Sequence, residues 1–396
     1  MPAIGQFWGA FKLTAQNGQP LEPAQLQPPN HGPTGEFLLN IDEHRPASGG
    51  CFLYRIQAPG SPLGDNVQFT IALSATTNDA TRFAAHGTEA FNLEAGSGRI
   101  QPIHIPPRNN IPYRIDVGAV AVVQNVSYRG TFTNSWGDSG TIAFWRPEAG
   151  ERVRDVTKCG SWSEYKNWVS EAGRQNFAFR GQSNSEWQLK TSLHRSGRFD
   201  LWHYSTSALT SLQQELEGAA GTSFNRDSPA DFARLLALAQ HHGFPTPLLD
   251  FTFSPYVAAY FAMSGVLDKP SSERAPFVRV YALDKAFQAV ASKPVVTMTS
   301  IEPTAGVLGI SGLRNPRLYA QQGLFLYSNV ELVEHFLTSP AYTQGATYLR
   351  AVDIPSAAAV EALTDLSYMG ISPASLFPGV DGVCLKVKQQ LLTGTL

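Results

Sequence analysis

Phe177-Ala-Phe-Arg-Gly-Gln-Ser-Asn-Ser-Glu-Trp187 delivers a single arginine, Arg180, from an apolar run onto a glycine. Gly181 is expected to let the backbone turn sharply, so that the guanidinium points into a cleft. An arginine held this way offers a rigid fork of donors suited to phosphate or carboxylate. About sixty residues later comes Gln240-His-His-Gly-Phe-Pro-Thr-Pro-Leu-Leu-Asp-Phe-Thr-Phe-Ser-Pro255. On a strand, Thr252 and Ser254 would share a face, where their hydroxyls could orient a ribose. Ser254 before Pro255 equally reads as a helix N-cap with proline at the first helical position. Thr246, fixed between Pro245 and Pro247, suits a rigid site wall. Together the two stretches point to a nucleotide-handling site.

Each of these residues also has a plainer role. Arg180 could pair with Asp250 to hold two strands together, and Leu248-Leu249 before Asp250 suggests burial and a structural partner. His241 and His242 are adjacent, so they cannot face one metal, and no metal is expected. His242 suits a hydrogen bond to a ribose or target, or the negative end of a helix dipole. Tyr256 and Tyr260, four apart, suit stacking on a base or an ordinary core. Glu331 and Glu334 read as a solvated helix face. A second aromatic-Arg-Gly, Tyr128-Arg129-Gly130, lacks downstream companions and reads as structural.

The elements that must position these groups fall into two textures. Residues 1–147 read as an all-β domain. Alternating segments at 36–42, 51–56 and 67–73 are divided by Pro/Gly/Asn-rich turns, and Ser127–Trp145 reads as a hairpin. A small barrel or sandwich follows. Beyond Arg146–Arg152 the reading is mixed α+β, and the second domain is taken as 155–396. Ser161 with Glu164 three residues on reads as a capping box opening a helix. Helices are expected around 202–217, 229–242 and from Pro255, and strands at 177–179, 277–283, 323–328 and 346–352.

Composition bounds the rest. The 396 residues carry a net charge of −2, which gives no whole-protein attraction to nucleic acid or anionic membrane. Three widely spaced cysteines fit a reducing cytoplasm, and no leader or membrane-spanning run is evident, so a soluble cytoplasmic protein is expected. Walker, nucleophile-elbow and Rossmann patterns are absent.

From about Cys159 onward the sequence resembles the FRG-domain family. The resemblance rests on Phe179-Arg180-Gly181-Gln182 with Trp187-Gln-Leu189 and Ser192-Leu-His-Arg195. It also rests on the 240–255 stretch running into Ala258-Ala-Tyr-Phe-Ala262, on Gln321-Gln-Gly-Leu-Phe325, and on Leu376-Phe-Pro-Gly-Val-Asp-Gly382. In layout it is similar to ADP-ribosyltransferases of the Arg-Ser-Glu type, with Gln321-Gln322 standing where those enzymes carry a late-strand glutamate.

That resemblance implies two small twisted sheets forming a cleft, NAD as substrate, and transfer of ADP-ribose to a protein or nucleic-acid acceptor with release of nicotinamide. It implies catalytic roles for Arg180, Thr252, Ser254 and Gln322. NAD-binding roles follow for Phe179, Arg180, Gly181, Gln182, His242, Thr246, Asp250, Tyr260 and Gln321. The β domain would select a target or regulate access. The alternatives are an NAD glycohydrolase, a silent NAD or ADP-ribose sensor in a bacterial defence or toxin-like system, and a two-domain interaction protein in which Arg180 is structural.

Overall fold

The computed structural model describes residues 4–22, 34–57, 67–75, 82–93, 100–102, 115–123, 127–134, 137–146, 152–171, 176–287, 303–308, 316–339, 343 and 345–394. Two sheets organise them, giving a mixed α+β protein.

The first sheet is antiparallel. Gly5–Gln16 pairs with Thr34–Ile41 on one side and with Ser139–Trp145 on the other, so the path of strands closes on itself as a barrel. The hairpin expected at 127–145 forms, with Ser139 opposite Thr133 and Trp145 opposite Ser127. Alternation along these strands turns Phe7, Phe37, Tyr128 and Phe144 inward, where the Tyr128 and Phe144 rings stack with centroids 4.7 Å apart. Arg129 lies exposed on this sheet, away from the cleft described below.

The second sheet has the strand order 156–158, 349–355, 277–284, 177–182, 248–252, 323–328, 305–308. Its neighbours are antiparallel except for the first pair. Phe177–Gln182 and Leu248–Thr252 share one register pair, Phe179 with Thr252, and then diverge. The two sheets expected here are therefore joined at a single seam. The splay leaves Arg180 on one lip and Asp250 on the other.

Helices form where the local signals place them. Ser161 accepts from the Glu164 N–H at 3.2 Å, while the Glu164 carboxylate reaches back to the Gly160 N–H at 2.7 Å, opening Trp162–Glu171. Ser254 accepts from the Val257 N–H at 3.2 Å and caps Pro255–Leu267. That helix is apolar all round and buried, with Ala258, Ala259, Tyr260, Ala262 and Met263 packed against the strands at 177–182 and 277–284.

Barrel and second sheet share an interface that carries the acids read as a solvated face. Glu331 and Glu334 are instead buried. Glu331 accepts from Lys190 Nζ at 2.9 Å, from Arg146 of the barrel's edge, and from the Gln6 N–H at 3.4 Å. Burial alone would raise its carboxyl, but Arg146 and Lys190 hold it below the usual range. Glu334 accepts from the Leu189 N–H, the Val153 N–H and the Tyr281 hydroxyl, at 2.9, 3.1 and 2.9 Å. Glu331 ties the barrel to the second part of the chain, Glu334 fastens segments within that second part, and the partners of both lie too far away in sequence to be seen locally.

Candidate functional site

Where the strands at 177–182 and 248–252 part, they open a cleft of about 1100 Å³. Helix ends and loops complete its walls, bringing Arg152, Lys190, Arg195 and Arg317 around Arg180. The carboxylates on the lining are Glu186 and Asp250. Five fixed cations against two acids make this a positive cleft in a chain of net charge −2.

Arg180 is the innermost of the cations, its side chain 15% exposed. Nη1 donates to the Asp250 carbonyl oxygen at 2.7 Å and lies 3.7 Å from Asp250 Oδ2. Nε is buried without a hydrogen-bond partner among the described residues. Burial lowers the guanidinium's proton affinity, Asp250 offsets this, and Arg195 adds to it. Burial also pushes Arg195 down, again against Asp250, and His241 is lowered by burial, then by Arg317 and His242. An incoming anion would relieve all three groups.

Gly181 serves a different purpose from the turn expected of it. It lies on an extended strand, and a Cβ there would collide with the Ala258 carbonyl oxygen and stand 2.8 Å from the Ala262 N–H. Glycine lets Pro255–Leu267 lie against the strand that carries Arg180. The neighbouring Gln182 is 8% exposed and lines the cleft, its Oε1 lacking a donor among the described residues.

Asp250 overturns the expectation of burial: its side chain is 64% exposed on the cleft wall. Gln240 Nε2 donates to its Oδ1 at 2.8 Å, and Gln240 Oε1 in turn accepts from the Thr246 hydroxyl. Thr246 is fully buried. Its N–H donates to Ser192 Oγ at 2.9 Å, and its carbonyl accepts from the Leu193 N–H and from the same Ser192 hydroxyl. Thr246 thus positions Gln240 and does not itself line the cleft.

The other anticipated residues divide. Gln321 and Thr252 line the cleft with polar groups already engaged: Thr252 Oγ1 donates to the Gln321 carbonyl at 2.7 Å, and Gln321 Nε2 to the Leu376 carbonyl at 3.2 Å. Phe179 touches the cleft but sits 1% exposed in the core. Ser254 is a helix cap, Tyr260 is core, and His242 closes the helix Pro229–His241 while His241 faces the cleft. Gln322 occupies a left-handed turn at φ 48°, its carbonyl accepting from the Phe253 N–H at 3.0 Å, and it does not line the cleft.

Sequence reasoning passed over Arg195, Arg317, Lys190, Gln240, Trp187 and Phe261 as site residues. Trp187 stands 46% exposed at the cleft with Lys269 Nζ 4.9 Å from its ring centroid. Also on the lining, Phe261 meets Phe377 edge-on at 6.0 Å, and the Arg317 guanidinium lies 4.4 Å over the Phe377 ring. Aromatic faces beside clustered guanidinium groups suit a ligand with both phosphates and planar rings.

Fold and cleft thus define an α+β module with a cation-lined cleft, attached to a β-barrel. Residues 175–270 match the family model of the FRG domain, and the chain carries an FRG domain there. That span holds Arg180, the Gln240–Thr246–Asp250 chain and the helix packed on Gly181. No curated protein and no solved structure matches the chain.

Proposed function

We propose that the cleft binds NAD and that the protein transfers ADP-ribose from it to a macromolecular acceptor, releasing nicotinamide. The observation carrying this reading is the partly buried Arg180 among further cations in a cleft whose lining includes Trp187, Phe261 and Phe377. Arg180, with Arg195 and Arg317, would hold the diphosphate, whose negative charge would offset the burial that lowers Arg180 and Arg195. Trp187 and the Phe261–Phe377 pair would take the two planar rings. The buried Gln182 Oε1 would accept from a ligand hydroxyl or carboxamide. The motif layout, which in the sequence resembles that of ADP-ribosyltransferases, is consistent with the same reading. The barrel, joined to the cleft through Lys190 and Glu331, would govern access or target choice.

A second reading, NAD binding without turnover, is favoured by one observation. At the start of the strand 323–328 stand Gln321, its amide held by Leu376, and Gln322, turned away from the cleft. Incubating the pure protein with NAD labelled in its ADP-ribose half, and following nicotinamide, separates these readings. Release with label on a macromolecule marks a transferase, release with free ADP-ribose a glycohydrolase, and binding without release a sensor.

A further inference from the structure

Breaking the bond between nicotinamide and ribose builds positive charge on the ribose C1′, and a carboxylate beside that carbon lowers the barrier. The lining offers two candidates. Glu186 is 75% exposed and tied through Oε2 to Arg152 Nη1 at 3.3 Å, which spends its charge on a neighbouring surface cation. Asp250 also has a cation near it, Arg180 Nη1 at 3.7 Å from Oδ2, but unlike Glu186 it is held from behind.

Its Oδ1 is fixed by Gln240 Nε2 at 2.8 Å. The orientation of the Gln240 amide is dictated from behind, because its oxygen accepts from the Thr246 hydroxyl and so its nitrogen must point at Asp250. Thr246 is immobilised between two prolines and by three hydrogen bonds from and to the segment at 192–193. The backbone under Asp250 is pinned by Arg180 Nη1 on its carbonyl oxygen. The carboxylate is therefore held on both sides while its outer face stays open to the cleft. A surface aspartate in a structural pair would need none of this support. The Gln240-to-Asp250 stretch is a device for presenting one oriented carboxylate beside the phosphate-binding arginine.

We infer that Asp250 is the catalytic carboxylate of this cleft, accepting a hydrogen bond from a ribose hydroxyl of the bound dinucleotide and stabilising the cation at C1′. Gln240 and Thr246 are positioning residues. In the step, the C1′–nitrogen bond breaks and its electron pair neutralises the pyridinium of the departing nicotinamide. An acceptor hydroxyl or water then forms the new C1′–oxygen bond and releases its proton to solvent. The inference rests on the NAD reading above and assigns to Asp250 the role anticipated for Gln322.

The test compares the full-length protein with Asp250→Asn and Gln322→Ala. NAD affinity is measured by calorimetry, nicotinamide release by chromatography, and folding by melting temperature. Asparagine keeps the acceptor for Gln240 and the backbone contact with Arg180, so the fold should stay close to wild type, while NAD affinity loses one hydrogen bond to the ribose and should fall no more than about tenfold. Nicotinamide release should fall about 100-fold or more in Asp250→Asn and stay within threefold in Gln322→Ala. Release by Asp250→Asn within threefold of wild type would overturn the inference while leaving NAD chemistry intact. Wild-type protein that binds NAD without releasing nicotinamide would overturn it in favour of the sensor. Wild-type protein that does not bind NAD would overturn the NAD reading itself.

Discussion

Gly181 and Ala258 are in backbone contact: the Ala258 carbonyl oxygen occupies the space where any side chain on Gly181 would begin. The strand bearing Arg180 and the buried helix Pro255–Leu267 therefore pack as closely as two backbones can, and the arginine's position depends on a missing methyl group. Gly181→Ala should force the helix away and destabilise the protein by about 1–3 kcal/mol, as overpacked cores do. Chemical denaturation measures this, and an unchanged midpoint would show that the helix shifts freely.

Trp187 makes little contact with the core and stands open at the cleft. If it stacks on a ring of the dinucleotide, Trp187→Ala should weaken NAD binding about tenfold, the scale of one aromatic stacking contact. Its melting temperature should stay within a degree or two of wild type. Calorimetric titration beside thermal unfolding separates the two effects.

Glu331 is the buried anion on which Arg146 and Lys190 converge. Glu331→Gln leaves both cations without their counter-charge, and a loss on the order of 2–4 kcal/mol is expected. Lys190 also lines the cleft, so the variant should alter the salt dependence of NAD affinity along with stability. Unfolding and titration at two salt concentrations test both effects.

Asp200 lies buried at the barrel interface, beside Asp42 and near Arg45, Arg198 and His203, and burial pushes its carboxyl up to about 7 from a usual 3.8. Between those values the folded protein keeps a proton that the unfolded chain has lost, so this group's contribution falls as pH rises from about 4 to about 7. Asp200→Asn keeps the acceptor that caps the His203 N–H and removes the titration. Its stability advantage over wild type should grow by about 2 kcal/mol between pH 5 and pH 8. A constant difference across that range would contradict the assignment.

Legibility in the sequence followed the range of the forces involved. The caps at Ser161 and Ser254, the hairpin at 127–145, the strand at 177–179, which runs on to Gln182, and the strand at 323–328 are local and readable. Glu331 and Glu334 were misread because what buries them comes from Lys190, Leu189, Val153 and Gln6, between 141 and 325 residues away. Arg195 and Arg317 sit on or beside helices of four and five residues, too short to leave a periodic signal. Gln322 lay one residue from the cleft-lining Gln321, and its left-handed turn sends it elsewhere. Leu248 and Leu249 suggest burial for Asp250, yet the strands beside it part after the Phe179–Thr252 pair and leave Asp250 open to the cleft, a long-range effect with no local signal.

Calorimetric titration of NAD into the wild-type protein and into Arg180→Ala separates a ligand-binding arginine from a structural one. Saturable wild-type binding should weaken at least about 100-fold in Arg180→Ala, the scale of losing a charged hydrogen-bond partner for phosphate. Equal affinity in a folded Arg180→Ala, or no binding by the wild type, would contradict the ligand-binding role.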